Sequence, residues 1–196
     1  MNRFLPAIAL VAIASPVSAD VFGASLSSWQ GGYIGAQGGF IASSEFSSSL
    51  DPSFTGTYEG DLGGIFFGYR RQFDTVVVGG EFDVMSGNNE VNFSNNAGAS
   101  STETGPTIYR AGGEVGYDLG RFLPYAGLGV VHWALDAEAG RNNATGHYFG
   151  IGMEFQTGPG TSIGLELNRH SLGNFELAPS FDLDFTTVDA NFAIRF

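Results

Sequence analysis

The sequence predicts an all-β fold, an eight-stranded antiparallel up-and-down transmembrane β-barrel, on three observations. Apolar residues alternate with polar residues or glycine over eight separate runs, the period-two signature of strands with one apolar face. The connections between the runs alternate short and long, as around barrels with short periplasmic turns and longer outside loops. The polar faces of the runs hold Glu81, Asp83, Arg110, Glu114, Asp118, Glu154, Glu166, Asp189 and Arg195. An arginine turned to lipid near mid-membrane would cost about 2–4 kcal/mol, so the polar faces must turn inward.

Residues 1–19 stand apart from these runs. Arg3, an apolar run from Phe4 to Ala14, Pro16 and then Val17-Ser18-Ala19 form the pattern of a secretory signal peptide, with cleavage expected after Ala19. The apolar run is shorter than the roughly 20 residues a membrane helix needs, and no later stretch comes closer. Residues 20–28 are then an N-terminal periplasmic segment and 29–196 a single barrel domain, with no linker between two units. Cysteine is absent, so neither a disulfide framework nor a thiolate metal site holds the fold together. The charge of −12, with arginine as the only basic type besides histidine, leaves no footprint for nucleic acid.

The runs follow in order. Trp29–Ile41 sets Ile34, Ala36 and Phe40 against Gly35, Gln37 and Gly39. Thr57–Arg70 opposes Ile65, Phe67 and Tyr69 to Gly64, Phe66, Gly68 and Arg70. Val76–Met85 places Val78, Phe82 and Val84 against Glu81 and Asp83. In Thr107–Leu119, Tyr109, Ala111, Val115, Tyr117 and Leu119 face away from Arg110, Glu114 and Asp118. Leu123–Ala137 reads as Tyr125, Val131, Trp133 and Leu135 opposite His132 and Asp136. Thr145–Gln156 alternates Phe149, Ile151, Met153 and Phe155 with Tyr148, Gly150, Gly152 and Glu154. Thr161–Ser171 sets Ile163, Leu165 and Leu167 against Gly164, Glu166, Asn168 and His170. Asp182–Phe196 opposes Val188, Ala190, Phe192, Ile194 and Phe196 to Asp189, Asn191 and Arg195.

Arg71–Thr75, Gly120–Phe122 and Thr157–Gly160 read as tight turns, and Ala42–Gly56, Ser86–Pro106, Glu138–Ala144 and Leu172–Phe181 as longer polar loops. Both termini then lie on the short-turn, periplasmic side. Tyr69, Tyr117, Tyr125, Phe155 and Phe196 mark one aromatic girdle, and Phe40 and Trp133 the other. An open sheet edge in hydrocarbon would leave backbone donors and acceptors unpaired, so the last strand must pair with the first. Eight strands enclose an interior that side chains can fill. Acidic residues are expected to meet Arg70, Arg110 and Arg195 there, with glycines making room, and without a large pore.

The segments Gly32-Tyr33-Ile34-Gly35-Ala36-Gln37-Gly38-Gly39-Phe40, Gly68-Tyr69-Arg70, Gly80-Glu81-Phe82-Asp83 and Phe122-Leu123-Pro124-Tyr125-Ala126-Gly127-Leu128-Gly129 resemble the small outer-membrane β-barrel family. It includes the OmpA transmembrane domain and the opacity-type "porin family" surface proteins of alphaproteobacteria. The ending Val188–Phe196 is similar to the family's C-terminal assembly signal. The resemblance implies insertion by the barrel assembly machinery through the strand ending in Phe196. It also implies outer-membrane lipids and lipopolysaccharide as surroundings. The run of strands stops at the eighth, so anchoring to the cell wall through a peptidoglycan-binding domain is not expected.

No catalytic residue, cofactor or metal site is expected. Asn168-Arg169-His170-Ser171 invites comparison with lipid A deacylases, which pair histidine with serine and an acid such as Asp182 or Asp184. A nucleophile must meet its base, and alternation turns His170 and Ser171 to opposite faces. His132 and Asp136 read as an interior hydrogen-bonding pair that lacks a third ligand for metal. His147 carries no argument. Glu45, Asp51, Glu59 and Asp61 lack regular calcium-ligand spacing and read as solvated loops. Arg141 and Arg169 are candidates for contact with lipid phosphates. Gly112-Gly113-Glu114-Val115-Gly116 lies inside a strand with no following helix and is not a nucleotide loop.

Overall fold

The computed structural model describes residues 28–50, 55–95, 98–137, 140–173, 175 and 181–196, with side chains throughout these except at 93–104 and 136–142. The expected signal peptide, most of the 20–28 segment and Asp51 lie outside the described residues.

Alternation is obeyed along ten strands: β1 Gly31–Ser48, β2 Thr55–Phe73, β3 Val76–Ser86, β4 Asn89–Asn95, β5 Gly98–Thr104, β6 Thr107–Tyr117, β7 Phe122–Ala137, β8 Gly140–Gly158, β9 Thr161–Gly173 and β10 Phe181–Arg195. Eight of them form the barrel. β1 pairs antiparallel with β2, and the ladder runs on through β3, β6, β7, β8, β9 and β10. β10 then returns to β1, from Tyr33 opposite Arg195 to Ser48 opposite Phe181. Closure satisfies the backbone groups that hydrocarbon could not.

β4 and β5 were not expected as strands. Within the stretch read as the loop Ser86–Pro106 they form a hairpin, with β4 paired to Thr55–Gly60 of β2 beyond the point where β3 ends. Its polar composition hid it, because the backbone of β2 supplies the hydrogen bonds. Strands also reach into the other long connections, and β7 and β8 stay paired as far as Ala137 and Gly140.

The strands invert their pattern along their length. On β10, toward the short turns, Phe192 and Ile194 face out while Asp189 and Arg195 are buried. Toward the long loops Asp182 turns out and Leu183 and Phe185 are buried. β2 does the same, with Ile65, Phe67 and Tyr69 outward near the turn and Glu59 and Asp61 outward farther up, over inward Tyr58 and Leu62. A strand in hydrocarbon turns grease outward, whereas the same strand in water turns it inward. The inversion therefore marks where the barrel leaves the membrane and continues as a water-soluble stump.

β7 departs from its expected faces. Val131 and Trp133 are buried inside, Tyr125 points inward to Glu166, and Leu128 and Val130, 67% and 63% exposed, cover the outside. His132 shares the outward parity and lies beside the Tyr109 ring at 6.1 Å, so it is not an interior hydrogen-bonding residue. Both parities of this run carry apolar residues, and the registry with β6, Ala111 against Val130 and Tyr109 against His132, decides between them. Tyr125 and Trp133 consequently leave the girdles expected of them, while Tyr69, Tyr117, Phe196 and Phe40 stay outward.

Candidate functional site

The inward parity builds a filled interior in three layers. In the middle, side chains of opposite charge reach across the barrel. Arg70 of β2 donates through Nε to Glu114 Oε1 at 2.5 Å and through Nη2 to Glu114 Oε2 at 2.9 Å on β6, and its Nη1 lies 2.6 Å from Glu154 Oε1 on β8. Arg110 of β6 donates through Nε to both oxygens of Asp83 on β3, each at 2.9 Å, with Glu166 of β9 at 3.8 Å. Arg195 of β10 approaches Glu154 at 3.6 Å. The expected meeting of Arg70, Arg110 and Arg195 with inward acids is borne out. Arg110 and Asp83 face each other on the paired strands β6 and β3, whereas the other pairs join strands that share no backbone ladder and so tie the barrel across its width.

Tyrosines complete the layer. Tyr33 Oη contacts Glu81 at 2.9 Å and Glu114 at 3.2 Å, and Tyr125 Oη donates to Glu166 at 2.7 Å. Arg70 lies over the rings of Tyr33 and Tyr125, 4.7 and 5.4 Å from their centroids. Asn168 Nδ2 bridges Glu166 and Asp189, and Thr187 Oγ1 donates to Asp189 at 2.6 Å. Glycine is required where these rings cross the wall: a Cβ at Gly152 would overlap the Tyr125 ring, and one at Gly112 the Tyr148 hydroxyl. The cavity left among Glu81, Arg110, Glu114, Tyr125, Tyr148 and Glu166 measures about 20 Å³, room for about one water molecule.

Apolar plugs close both ends of this layer. Toward the long loops, Tyr58, Met85, Ile108, Trp133, Leu172, Leu183 and Phe185 pack together, and Phe175 comes down from the connection between β9 and β10 to meet the Trp133 ring edge-on at 5.5 Å. His170 belongs to this plug, stacked on Phe185 at 4.4 Å with 10° between planes. At the other end Trp29 is fully buried against Val77 and Leu123. Its Nε1 donates to Gly120 O at 3.1 Å, its backbone N–H donates to Gln72 Oε1 at 2.9 Å, and Arg195 lies over its ring at 4.8 Å. Trp29, which the alternation places at the start of the first strand, precedes β1 and is a stopper below it. A single aromatic before a glycine pair carries no periodic signal that could have shown this.

The histidine and serine raised by the sequence do not meet each other. His170 sits in the inward row with Tyr148 and Phe185, whereas Ser171 lies in register with His147 and Asp184. His147, isolated in sequence, is thus brought opposite Ser171 by strand registry that sequence spacing does not reveal. Among the described residues no hydrogen bond joins the two side chains. Arg169 is outward and half-exposed, 3.2 Å from Asp184 and within 3.3 Å of Thr186 Oγ1. Glu45, Glu59 and Asp61 are exposed, and no group of acidic or histidine side chains among the described residues has metal-binding geometry. The side chains of Asp136 and Arg141 lie outside the described set.

A closed barrel with an outer apolar band, an ionic interior and a terminal aromatic strand narrows the possible families, and the outer membrane protein β-barrel domain matches residues 5–196. The chain belongs to that outer-membrane β-barrel family. Solved structures of this barrel type superpose on it. Neisserial surface protein A (NspA) does so with a TM-score of 0.52 and 16% identity, over 84% of this chain and 97% of that one. OprG from Pseudomonas aeruginosa does so with a TM-score of 0.50 and 14% identity, over 85% and 97%. At such identities the likeness of this outer-membrane barrel to either is one of fold. No curated protein matches the chain in sequence.

Proposed function

We propose that this outer-membrane barrel is a closed structural and surface-display protein, exported on a signal peptide comprising residues 1–19 and cleaved after Ala19. Its termini and short turns face the periplasm, and the stump with its hairpins faces outward. The observation that carries the reading is the interior: a cavity of about 20 Å³ in the ionic layer, between an aromatic plug and the Trp29 stopper. Insertion through the barrel assembly machinery, guided by the strand ending in Phe196, and contact with lipopolysaccharide fit the same reading. Lipid A chemistry through His170 is not supported, because the ring is enclosed between aromatic residues. Single-channel recording in a planar bilayer tests the proposal. Baseline current is expected, and a large steady conductance overturns it.

One observation favours a second reading, hydrolysis of a lipid acyl ester at the outer surface. The outward row His147, Ser171, Asp184 places an imidazole, a hydroxyl and a carboxylate on adjacent strands. It ranks second because the serine stands between the other two, and because Asp184 already pairs with Arg169. Mass spectra of lipid A from cells expressing wild type, Ser171→Ala and His147→Ala should be identical. A deacylated species present only with wild type would promote this reading.

A further inference from the structure

The hairpin of β4 and β5 ends on an open edge. β4 pairs with β2 on one side and with β5 on the other, and among the described residues no strand pairs with the far side of β5. That edge turns backbone N–H and C=O groups to water, a template onto which another extended chain can pair. Edges are ordinarily blunted by a bulge, a proline or a lysine. Here the register runs unshifted from Asn89 opposite Thr104 to Asn95 opposite Gly98, and the strand Gly98–Thr104, GASSTET, contains neither proline nor lysine. The sheet behind it is held in place, because Tyr58 of β2 and Val91 of β4 are buried in the aromatic plug. An added strand therefore meets a preformed edge, which lowers the ordering cost of binding.

The same register decides the chemistry of the strand that fits. Glu59 of β2 stands opposite Glu90 of β4, and Glu90 opposite Glu103 of β5, so a row of glutamates crosses the sheet and ends at the open edge. Glu59 and Glu90 are exposed. Like charges directly opposite one another destabilise a sheet, whereas opposite charges contribute about 0.2–1 kcal/mol per pair. A further strand places its own residue at the end of this row. A second copy of the chain is a poor occupant, because pairing β5 with itself brings another set of these carboxylates, on a chain of net charge −12, to the same edge. An extended segment with lysine or arginine at alternate positions instead sets a cation opposite Glu103.

We propose that the outer edge of β5 is a docking site for an extended basic segment of a partner protein, which adds as a further strand and aligns its cations with the glutamate row. The proposal rests on the surface-display reading, because the edge must face outward to meet a partner. Its failure leaves the conductance result untouched, and a conducting barrel leaves the edge as it is. The test is fluorescence anisotropy of a labelled peptide of alternating threonine and lysine, as long as β5, titrated with the full chain folded in non-ionic detergent. The same peptide with glutamate in place of lysine reverses the charge, and the lysine peptide N-methylated throughout keeps the charge but cannot donate to β5. Wild type should bind the lysine peptide saturably, with an affinity that falls as salt is added, and bind each of the other two about tenfold or more weakly, as when backbone hydrogen bonds or charge pairs are lost. Glu90→Gln and Glu103→Gln should each weaken the lysine peptide about two- to fivefold, the range of exposed ion pairs. Asp74→Asn, in the turn between β2 and β3 at the opposite end of the barrel, should bind as wild type does. Amide hydrogen exchange in β5 should slow when the lysine peptide is bound. Heat-dependent gel mobility establishes that each variant is folded. Absence of binding, equal binding of the N-methylated or the glutamate peptide, unchanged affinity in Glu103→Gln, unchanged exchange in β5 with peptide bound, or self-association of the chain through β5 would each overturn the proposal.

Discussion

Replacing Arg70 by methionine removes the cation that two walls of the barrel share and leaves both carboxylates in place. The Arg70 side chain is 1% exposed and that of Glu154 3%. Deleting one member of a buried ion pair costs about 3–5 kcal/mol, because the remaining charge stays desolvated without compensation. Arg70 serves Glu114 as well as Glu154 and lies over two tyrosine rings, each such ring contact adding about 0.5–1 kcal/mol or more. The upper end of the range, about 5 kcal/mol, is therefore expected. With a slope of about 2 kcal/mol per molar urea, the unfolding midpoint in detergent or vesicles should fall by about 2.5 M, read from the loss of the fast-migrating folded band. Arg70→Lys keeps the charge but cannot grip two oxygens of Glu114 in parallel, and should recover part of the loss. Adding Glu114→Gln to Arg70→Met removes one stranded charge and should restore about 1–2 kcal/mol, a coupling typical of residues in direct contact. A midpoint within about 0.5 M of wild type, or strictly additive losses in the double variant, would refute a buried charge network as the brace of this barrel.

Trp29→Ala should lower stability by about 3–5 kcal/mol, as for other buried aromatic truncations, while the planar-bilayer current stays at baseline because the plug around Phe185 and Trp133 is untouched; a steady current would place the seal at Trp29 alone. The chain has no cysteine, so single cysteines report facing cleanly: Val130→Cys should react with a membrane-soluble maleimide in vesicles and Val131→Cys should not, and the reverse result would restore the opposite face of β7. Gly152→Val should cost about 1–3 kcal/mol from overpacking against the Tyr125 ring, visible as a lower urea midpoint, and adding Tyr125→Phe should not relieve it, since the clash is with ring atoms as well as the hydroxyl.

The hydrophobic stump alters how the interior is understood. The inward charged side chains Arg70, Asp83, Arg110, Glu154 and Asp189 are confined to the part of the barrel within the membrane. Beyond it, the buried set of Tyr58, Leu62, Leu183 and Phe185 packs as in a protein dissolved in water. The hairpin of β4 and β5 adds to this portion, so the strands continue well past the membrane instead of ending in loops.

Sequence alone determined the strand count of the barrel, its closure through the terminal Phe196 strand, the inward placement of Arg70, Arg110 and Arg195, and the lipid-facing parity wherever one parity of a run was charged. Charge decides a face without help from neighbours, since a wrongly turned arginine or glutamate meets hydrocarbon. Tertiary structure was needed where that penalty was silent. Both parities of β7 are apolar, so strand registry chose its faces. Registry likewise set His147 against Ser171 and parted His170 from it, because residues far apart in the chain become neighbours only once the strands are aligned. The Trp29 stopper belongs to the same class. It depends on where a segment ends relative to walls built elsewhere in the chain, and local periodicity contains no term for that distance.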